Sequence, residues 1–360
     1  MGWLRCSRLC GGLTVALACS LDSAGQGGEG SSTGGTADST ATGASATTAT
    51  TATATDTTAT GTATGTADSS SGGGGSSSAG THGSSSDSGS AGESSSGGPL
   101  GDFGEPVAVA ELNSFWDDDD PSLSADQLEI YFASTRDGIE DIFVARRSAV
   151  DEPFDTPTVV LELSDLSIDS TPELSADGLF ISFASDRPFG EGGLDVWVST
   201  RTDRQSAWST PMSVLELSSI DAEGSAVMTA DALTVYLCRY FLPPEEDQIL
   251  ISTRAANFDL WAEPAVVAGL QADGRDCTPW VDASGSELWW ASTRAGGEGL
   301  EDIYRVDLVD GAPSGEPEAI AAINDDSRDE DPWLSPQGDV IYFSSTRAGM
   351  GQDIFMAVRE

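Results

Sequence analysis

From residue 101 to the end of the chain, short apolar runs alternate with polar turns at a nearly fixed period. Five aligned segments each open with an acidic residue, and successive segments start 51, 54, 53 and 53 residues apart. The opening residues are Asp118, Asp169, Glu223, Asp276 and Asp329. Such even spacing is typical of a repeat architecture and not of a single-copy domain.

Each repeat shows the same order of predicted strands. A short strand with the pattern Pro-x-Leu-Ser comes first, as in Pro172–Ser175, and a polar turn follows it. The second strand is rich in β-branched and aromatic residues, and a Gly-rich loop leads to the third. A fourth short apolar run lies between repeats, at 158–163, 213–217, 265–270 and 318–323. Four strands in about 50 residues predict one propeller blade per repeat.

The ends of this region predict how the ring closes. The last repeat stops at Arg359-Glu360, directly after its third strand, whereas Pro106–Leu112 matches the inter-repeat runs without a repeat before it. We therefore expect Pro106–Leu112 to supply the outer strand of the last blade. The predicted fold is all-β, a five-bladed β-propeller with four-stranded blades, closed by the N-terminal strand of the domain. A six-bladed ring is the rival, but no leftover segment is long enough for a sixth blade.

Composition divides the chain into three parts. Residues 1–19 combine Arg5 and Arg8 with a short apolar run, which is typical of a signal peptide and too short to span a bilayer. The run ends like a bacterial lipobox, so Cys19 is the predicted lipidation site, and simple secretion with an unmodified Cys19 is the alternative. Residues 20–100 are mostly Ser, Thr, Gly and Ala, and they predict a disordered tether. Residues 101–360 form the predicted propeller.

The charge excludes several classes of function. The chain has 59 acidic and 16 basic residues, all of the basic ones arginine, and a net charge of −43. Nucleic-acid binding needs basic surfaces, so it is not expected. The absence of lysine excludes Schiff-base chemistry, and the only histidine, His82, lies in the predicted tether. Carboxylates are the only abundant catalytic side chains that remain.

The repeats resemble the WD40-like β-propeller repeat of TolB-type proteins and of bacterial envelope lipoproteins. The resemblance covers 117–360 and rests on Pro-x-Leu-Ser-x-Asp-Gly, Tyr-Phe-x-Ser-x-Arg, a Gly-rich stretch and Asp-Ile-Tyr/Phe. The third repeat departs most, because Ala226 replaces the proline and Arg239 stands two places early. The resemblance implies a propeller at the cell envelope and, as one functional expectation, a TolB-like accessory role in transport or integrity.

The most informative candidate site is the set of five acids that open the repeats. If the first strand is innermost, these acids form a ring near one mouth of the channel, and their charges need compensation. Pairing with recurring arginines is the favoured interpretation, through Arg136, Arg187, Arg294 and Arg347. A Ca²⁺ site at Asp118, Asp169, Glu223, Asp276 and Asp329 is one alternative. A glycoside hydrolase that uses two of these carboxylates is another. No cofactor other than such a Ca²⁺ ion is expected.

Two smaller features complete the sequence picture. The acidic runs Asp117–Asp120 and 325–331 are interpreted as solvated surface, with Ca²⁺ binding as the alternative. Cys238 and Cys277 are an even pair in an exported domain, which is compatible with a disulfide, although Cys238 also fits an ordinary buried strand position.

Together these features predict an exported bacterial protein, anchored as an outer-membrane lipoprotein and facing the periplasm or the cell surface. Its expected function is non-enzymatic binding of a protein or a glycan at the envelope, as a monomer that touches the membrane only through its lipid. The alternatives are the TolB-like accessory role and the glycoside hydrolase.

Overall fold

The computed structural model describes residues 101–241, 246–270, 272–349 and 351–359. In these ranges the chain forms twenty strands and five four-stranded antiparallel sheets, with no helix. The innermost strand of each sheet lies against the innermost strands of the two neighbouring sheets, which closes the sheets into a ring. The predicted five-bladed β-propeller is therefore confirmed. The predicted signal peptide, Cys19 and the tether lie outside the described residues.

The blades follow one another in chain order. Blade 1 contains β2 (Asp118–Leu123), β3 (Glu129–Ser134), β4 (Asp141–Arg146) and β5 (Thr158–Val159). Blade 2 contains β6 (Asp169–Leu174), β7 (Phe180–Ser185), β8 (Asp195–Thr200) and β9 (Met212–Ser213). Blade 3 contains β10 (Ala222–Met228), β11 (Thr234–Tyr240), β12 (Gln248–Thr253) and β13 (Ala265–Val266). Blade 4 contains β14 (Asp276–Val281), β15 (Glu287–Ser292), β16 (Asp302–Val309) and β17 (Ala312–Ala319). Blade 5 contains β18 (Asp329–Leu334), β19 (Val340–Ser345), β20 (Asp353–Val358) and β1 (Val107–Ala108).

The N-terminal strand closes the ring as predicted. β1 pairs antiparallel with β20, with Val107 opposite Met356 and Ala108 opposite Phe355. Asn113 strengthens the junction, because its side chain both donates to the carbonyl of Ile354 (3.0 Å) and accepts from the Ile354 amide (2.8 Å). The last blade therefore combines the two ends of the domain.

The outer strands differ from the predicted lengths. Four of them span only two residues, and the rest of each predicted run forms a turn that leads into the next blade. Blade 4 is the exception, since β16 and β17 form a long hairpin. Its turn residues Asp310 and Gly311 both have positive φ, at 53° and 75°. Asp-Gly is a favoured pair for such two-residue turns.

The core lies between the blades. Second strands are buried on both faces, so that Trp289 and Trp290, which point to opposite faces of β15, are both fully buried. Trp290 packs in one apolar cluster with Tyr236 and Ile249 of blade 3, while Trp289 packs with Ile341 and Phe343 of blade 5. The ring therefore depends on contacts between neighbouring blades. The described ranges contain no helix that could cross a bilayer.

A disulfide links blades 3 and 4. Cys238 in β11 and Cys277 in β14 are bonded, their Cα atoms are 5.1 Å apart, and both residues are buried. The bond joins two adjacent sheets that share no backbone hydrogen-bond ladder.

We expect loss of this disulfide to lower stability without changing the fold. The two cysteines are 39 residues apart, and the loop-entropy relation assigns about 4 kcal/mol to a cross-link of that span. A Cys238→Ala/Cys277→Ala variant should therefore unfold at lower denaturant than the oxidised protein. Treating the wild type with reductant under denaturing conditions should produce the same loss. Equal midpoints for the variant and the oxidised wild type would show that the bond adds no stability.

Candidate functional site

The five recurring acids are buried at the start of the innermost strands. Every one of them forms an ion pair with an arginine from the end of the second strand or the residues just after it in its own blade. The pairs are Asp118–Arg136, Asp169–Arg187, Glu223–Arg239, Asp276–Arg294 and Asp329–Arg347. In blade 3 the early position of Arg239 is compensated by the longer side chain of Glu223, since Nε and Oε1 lie 2.6 Å apart.

In blades 1, 2, 4 and 5 each pair joins three segments of the chain. In blade 2, Arg187 donates from Nη2 to Asp169, from Nε to Ser185 Oγ (2.9 Å), and from Nη2 to the carbonyl of Leu163 (2.6 Å). Leu163 belongs to the connection from the preceding blade. Burial raises the pKa of Asp169, while the hydrogen bonds from Ser185 and Arg187 oppose that rise. These carboxylates therefore serve as blade junctions. Each accepts from an arginine, and a serine and a backbone amide also donate to four of them, whereas the indole of Trp290 donates to Asp276.

The axis of the ring is lined by the residues two positions further along. These residues are Asp120, Thr171, Ser225, Thr278 and Asp331, and all five have positive φ between 46° and 55°. A β-bulge follows the residue after the recurring acid in each innermost strand and redirects these side chains. They link neighbouring blades, since the amide of Thr171 donates to Asp120 (3.2 Å) and that of Ser225 to Thr171 Oγ1 (2.9 Å).

The cavity at the axis is small and acidic. It has a volume of about 10 Å³ and is lined by Asp120, Glu173 and Asp331 among others. A cavity of about this size holds a single water molecule and no sugar ring. The carboxylate oxygens of Asp119, Asp120 and Glu140 lie within 4.8 Å of one another, a donor set that suits a hard cation. The acidic run at Asp117–Asp120 therefore contributes to the axis and not only to the solvated surface.

These axial carboxyl groups hold protons more tightly than usual. Burial, and then the charge of Asp331, raises the pKa of Glu173 to about 8. Burial, and then Glu330, raises the pKa of Asp331 to about 6. Burial, and then the charge of Asp331, also raises the pKa of Asp120, whose carboxyl group is hydrogen-bonded to that of Asp331. At neutral pH the axis is therefore partly protonated.

This arrangement predicts that stability falls as the pH rises. Between the ordinary pKa of a glutamate, 4.5, and about 8, folded Glu173 keeps a proton that the unfolded chain releases. The free energy of unfolding then decreases by about 1.4 kcal/mol per pH unit for each such proton. Glu173→Gln should flatten this slope in denaturation series between pH 5 and pH 8. Glu152→Gln, at an exposed position, should keep the wild-type slope, and equal slopes for all three proteins would contradict the prediction.

One face of the ring is formed by two loops from each blade. In blade 1 these are 113–117, which leads into β2, and 135–140, which joins β3 to β4, and the strand register puts both at the same edge. The second loop also binds the next blade, because the amide of Asp169 donates to the carbonyl of Glu140 (3.0 Å). Equivalent bonds recur at the four other blade junctions. The described parts of these loops therefore lie along one face of the ring.

Large apolar residues project from this face in three successive blades. Phe115, Leu166 and Ile220 each stand three residues before the recurring acid of their blade, and they are 91%, 96% and 86% exposed. Phe189, in the loop between β7 and β8, is 89% exposed on the same face. We call these four residues the apolar arc. Their exposure was not predicted from the sequence, although their shared register is visible in the alignment of the repeats.

Blades 4 and 5 complete the same face with charges. Asp273 and Asp326 occupy the register of the apolar arc there. Arg275 and Arg328 follow them and both pair with Glu301, at 2.8 and 2.9 Å. Most of the exposed large apolar residues of this face therefore lie on blades 1 to 3, whereas blades 4 and 5 carry ion pairs and one exposed apolar residue, Leu300.

The ring, its fivefold acid–arginine junctions and its narrow axis define a five-bladed repeat propeller. Among solved structures it is similar to a putative TolB from Agrobacterium tumefaciens, with 18% identity, a TM-score of 0.42, and coverage of 69% of this chain and 79% of that one. A TolB from Acinetobacter baumannii shows 16% identity and a TM-score of 0.42, covering 69% of this chain and 56% of that one. A thermostable family-43 glycoside hydrolase shows 10% identity and a TM-score of 0.51, covering 69% and 91%. No family model and no curated protein matches the chain. At these identities the likeness concerns the fold alone.

Proposed function

We propose that the protein is a non-enzymatic binding propeller of the bacterial envelope, and that it docks a protein partner with basic and apolar side chains. The apolar arc is the observation that carries this proposal. Single exposed apolar residues are common on protein surfaces. Here they recur at one register of three adjacent blades, and grouped apolar exposure of this kind marks interaction surfaces.

The charge around the apolar arc determines the kind of partner. The loops of blades 1 to 3 that carry it also carry the acids Asp117, Asp137, Glu140, Asp165, Asp186, Glu191 and Asp221. Arg136 and Arg187, in the same loops, are engaged with Asp118 and Asp169. A basic partner complements this field, whereas an anionic lipid surface is repelled by it.

The geometry of the carboxylates favours binding over hydrolysis. Glycoside hydrolysis needs two carboxyl groups that flank a bound sugar. The recurring acids are buried in ion pairs, and the axial cavity that contains Asp120, Glu173 and Asp331 is far smaller than a sugar ring.

Export by the signal at 1–19 and lipid anchoring at Cys19 remain part of the proposal, with the head facing the periplasm or the cell surface. The TolB-like accessory role is one form of it, distinguished by the identity of the partner.

Binding of designed peptides tests the proposal. The probe is an amphipathic peptide of alternating leucine and lysine, compared with a serine/lysine and a leucine/glutamate peptide of the same length. We expect the leucine/lysine peptide to bind at least about tenfold more tightly than either, because only it offers both apolar contact and positive charge. Raised salt should weaken that binding.

The variants locate the binding surface. Phe115→Ser/Leu166→Ser/Ile220→Ser should abolish peptide binding, since it removes most of the apolar arc. Phe258→Ser/Leu260→Ser is the matched control, because these residues are 89% and 75% exposed at the opposite edge of blade 3. Equal loss in both variants, or equal binding of the leucine/glutamate peptide, would refute the proposal.

A further inference from the structure

A cleft lies between blades 1 and 2, at the blade edge opposite the apolar arc. Its volume is about 710 Å³, and its walls come from β3, β4 and β5 of blade 1 and from the segment 201–208 that follows β8. Small-molecule sites in proteins commonly measure about 300–1,000 Å³. The cleft is therefore large enough for a ligand of several functional groups.

The lining of this cleft is basic in an otherwise acidic domain. Four arginines, Arg146, Arg147, Arg201 and Arg204, line it, against two glutamates. The whole domain from residue 101 onward has 14 arginines and 52 acids. We call this site the arginine cleft.

One buried carboxylate organises three of these arginines. Glu129 is 4% exposed and accepts hydrogen bonds from Arg201 Nη2 (2.6 Å), Arg146 Nε (2.8 Å) and Arg204 Nε (2.9 Å). Burial raises the pKa of Glu129, but the hydrogen bonds from the arginines outweigh it and lower the pKa below its ordinary value. A single negative charge thus holds three positive ones. Asp126, bound to Arg204, and Glu162 in the lining reduce the positive charge of the four arginines without cancelling it.

Arg146 presents the remaining positive charge to the cleft. Its side chain is 47% exposed, and within the described residues its two terminal nitrogens donate no hydrogen bond. A guanidinium group of this kind can bind a carboxylate or a phosphate through two parallel N–H donors.

The charge of Arg146 is not part of the structural repeat, whereas that of Arg201 is. Arg201 belongs to a second recurring set of arginines, each stacked on an aromatic ring, and it lies 4.5 Å from the ring centre of Trp208. Arg146 has no arginine counterpart in the other blades. The equivalent positions there are Thr200, Thr253, Asp307 and Val358. The charge of Arg146 is therefore specific to blade 1 and to this cleft.

Apolar side chains form the rest of the wall. Val144, Val160 and Trp208 line the cleft while packing in the core between blades 1 and 2. The indole of Trp208 donates to the hydroxyl of Tyr131 (3.2 Å), which fixes the orientation of both rings. The cleft thus combines a rigid apolar wall with a basic rim.

We propose that the arginine cleft binds a small molecule in which an oxyanion, a carboxylate or a phosphate, is joined to an apolar body. The oxyanion binds the two terminal nitrogens of Arg146, and the apolar body lies against Val144 and Trp208. This site is separate from the protein-docking face, so it stands whether or not that docking occurs.

Calorimetric titration of the full-length protein tests this inference with three probes. These are 4-phenylbutyrate, 4-phenylbutyl phosphate and the neutral 4-phenylbutanol. At least one of the two anions should bind about tenfold or more tightly than the alcohol, since a charge-assisted hydrogen bond is lost in the alcohol. The stronger of the two anions identifies the oxyanion that the cleft prefers.

Two arginine variants test whether the anion binds at Arg146. The control replaces an arginine of blade 4 that is also partly exposed and paired with glutamate. Arg146→Gln should weaken binding of the preferred anion about tenfold while the domain stays folded, because Arg201 and Arg204 still pair with Glu129. Arg305→Gln removes a partly exposed arginine that pairs with Glu287 and Glu318 in blade 4, and it should bind the anion like the wild type. No binding of either anion, equal binding of the alcohol, or an unaffected Arg146→Gln would each overturn the inference.

Discussion

Deletion of residues 101–113 from the full chain is expected to abolish cooperative folding of the propeller. The deletion removes β1 and with it the pairing that closes blade 5. It also removes the buried side chains of Phe103, Val109 and Leu112. Loss of one such side chain costs about 2–5 kcal/mol, and domains are stable by only about 5–15 kcal/mol. The edge of β20 would in addition be left unpaired.

Circular dichroism melts of two deletions check this expectation. The control removes an equally long segment, 84–96, from the predicted tether, and it should melt like the wild type. The 101–113 deletion should show no cooperative transition, or one at a much lower temperature. Superimposable melts of the two variants would mean that the N-terminal strand does not hold the ring together.

Asp169→Ala is expected to destabilise the domain by about 3–5 kcal/mol. The substitution leaves the guanidinium of Arg187, which is only 10% exposed, without its counter-charge. Replacing both partners should cost less than the sum of the single changes, because the double variant no longer buries an unpaired charge. A double-mutant cycle of Asp169→Ala and Arg187→Met in chemical denaturation measures both quantities.

Two comparisons make the result specific. Asp151→Ala changes an exposed acid of blade 1 and should stay within about 0.5 kcal/mol of the wild type. If Ca²⁺ rather than arginine balanced the recurring acids, the wild type would melt higher in millimolar Ca²⁺, and Asp169→Asn would abolish that rise. A Ca²⁺-dependent rise lost in Asp169→Asn would therefore replace the arginine account with a metal site.

The fold could be predicted because its signals are local and repeated. Strand patterns, turn residues and the spacing of the five acids each point to blades, and the unmatched ends point to the closure by Pro106–Leu112. The outer strands were harder to predict, because two-residue strands such as Thr158–Val159 carry too few residues for a pattern. Asp310-Gly311 is a sequence signal for the long hairpin of blade 4. The other repeats predict only a short outer strand at this position, so the hairpin was not expected there.

The axial side chains could not be predicted from strand periodicity. Simple alternation would place residues 118 and 120 on the same face of β2. The bulge after Asp119 breaks that alternation and aims Asp120 at the axis, while Asp118 stays buried at the junction with Arg136. A left-handed conformation at non-glycine residues has no reliable signature in sequence, so the five axial residues could not be predicted, although the pairing of the recurring acids with arginines could.

The two proposed binding surfaces depend on exposure and on contacts between distant segments. Leu166 and Ile220 look like ordinary core residues in the sequence, and only the structure places them outside the core. Likewise, Glu129 and Arg201 are 72 residues apart and meet because blades 1 and 2 are neighbours.

Site-specific photo-cross-linking in the cells that produce the protein tests docking at the apolar arc most directly. A photoreactive amino acid is placed at Leu166 or Ile220 in the full-length protein, and at Phe258 on the opposite edge as the control. Docking at the apolar arc predicts one shared protein adduct from Leu166 and Ile220, cross-linked through a segment rich in lysine or arginine, and no such adduct from Phe258. An absence of adducts from both arc positions, or the same adduct from Phe258, would contradict it.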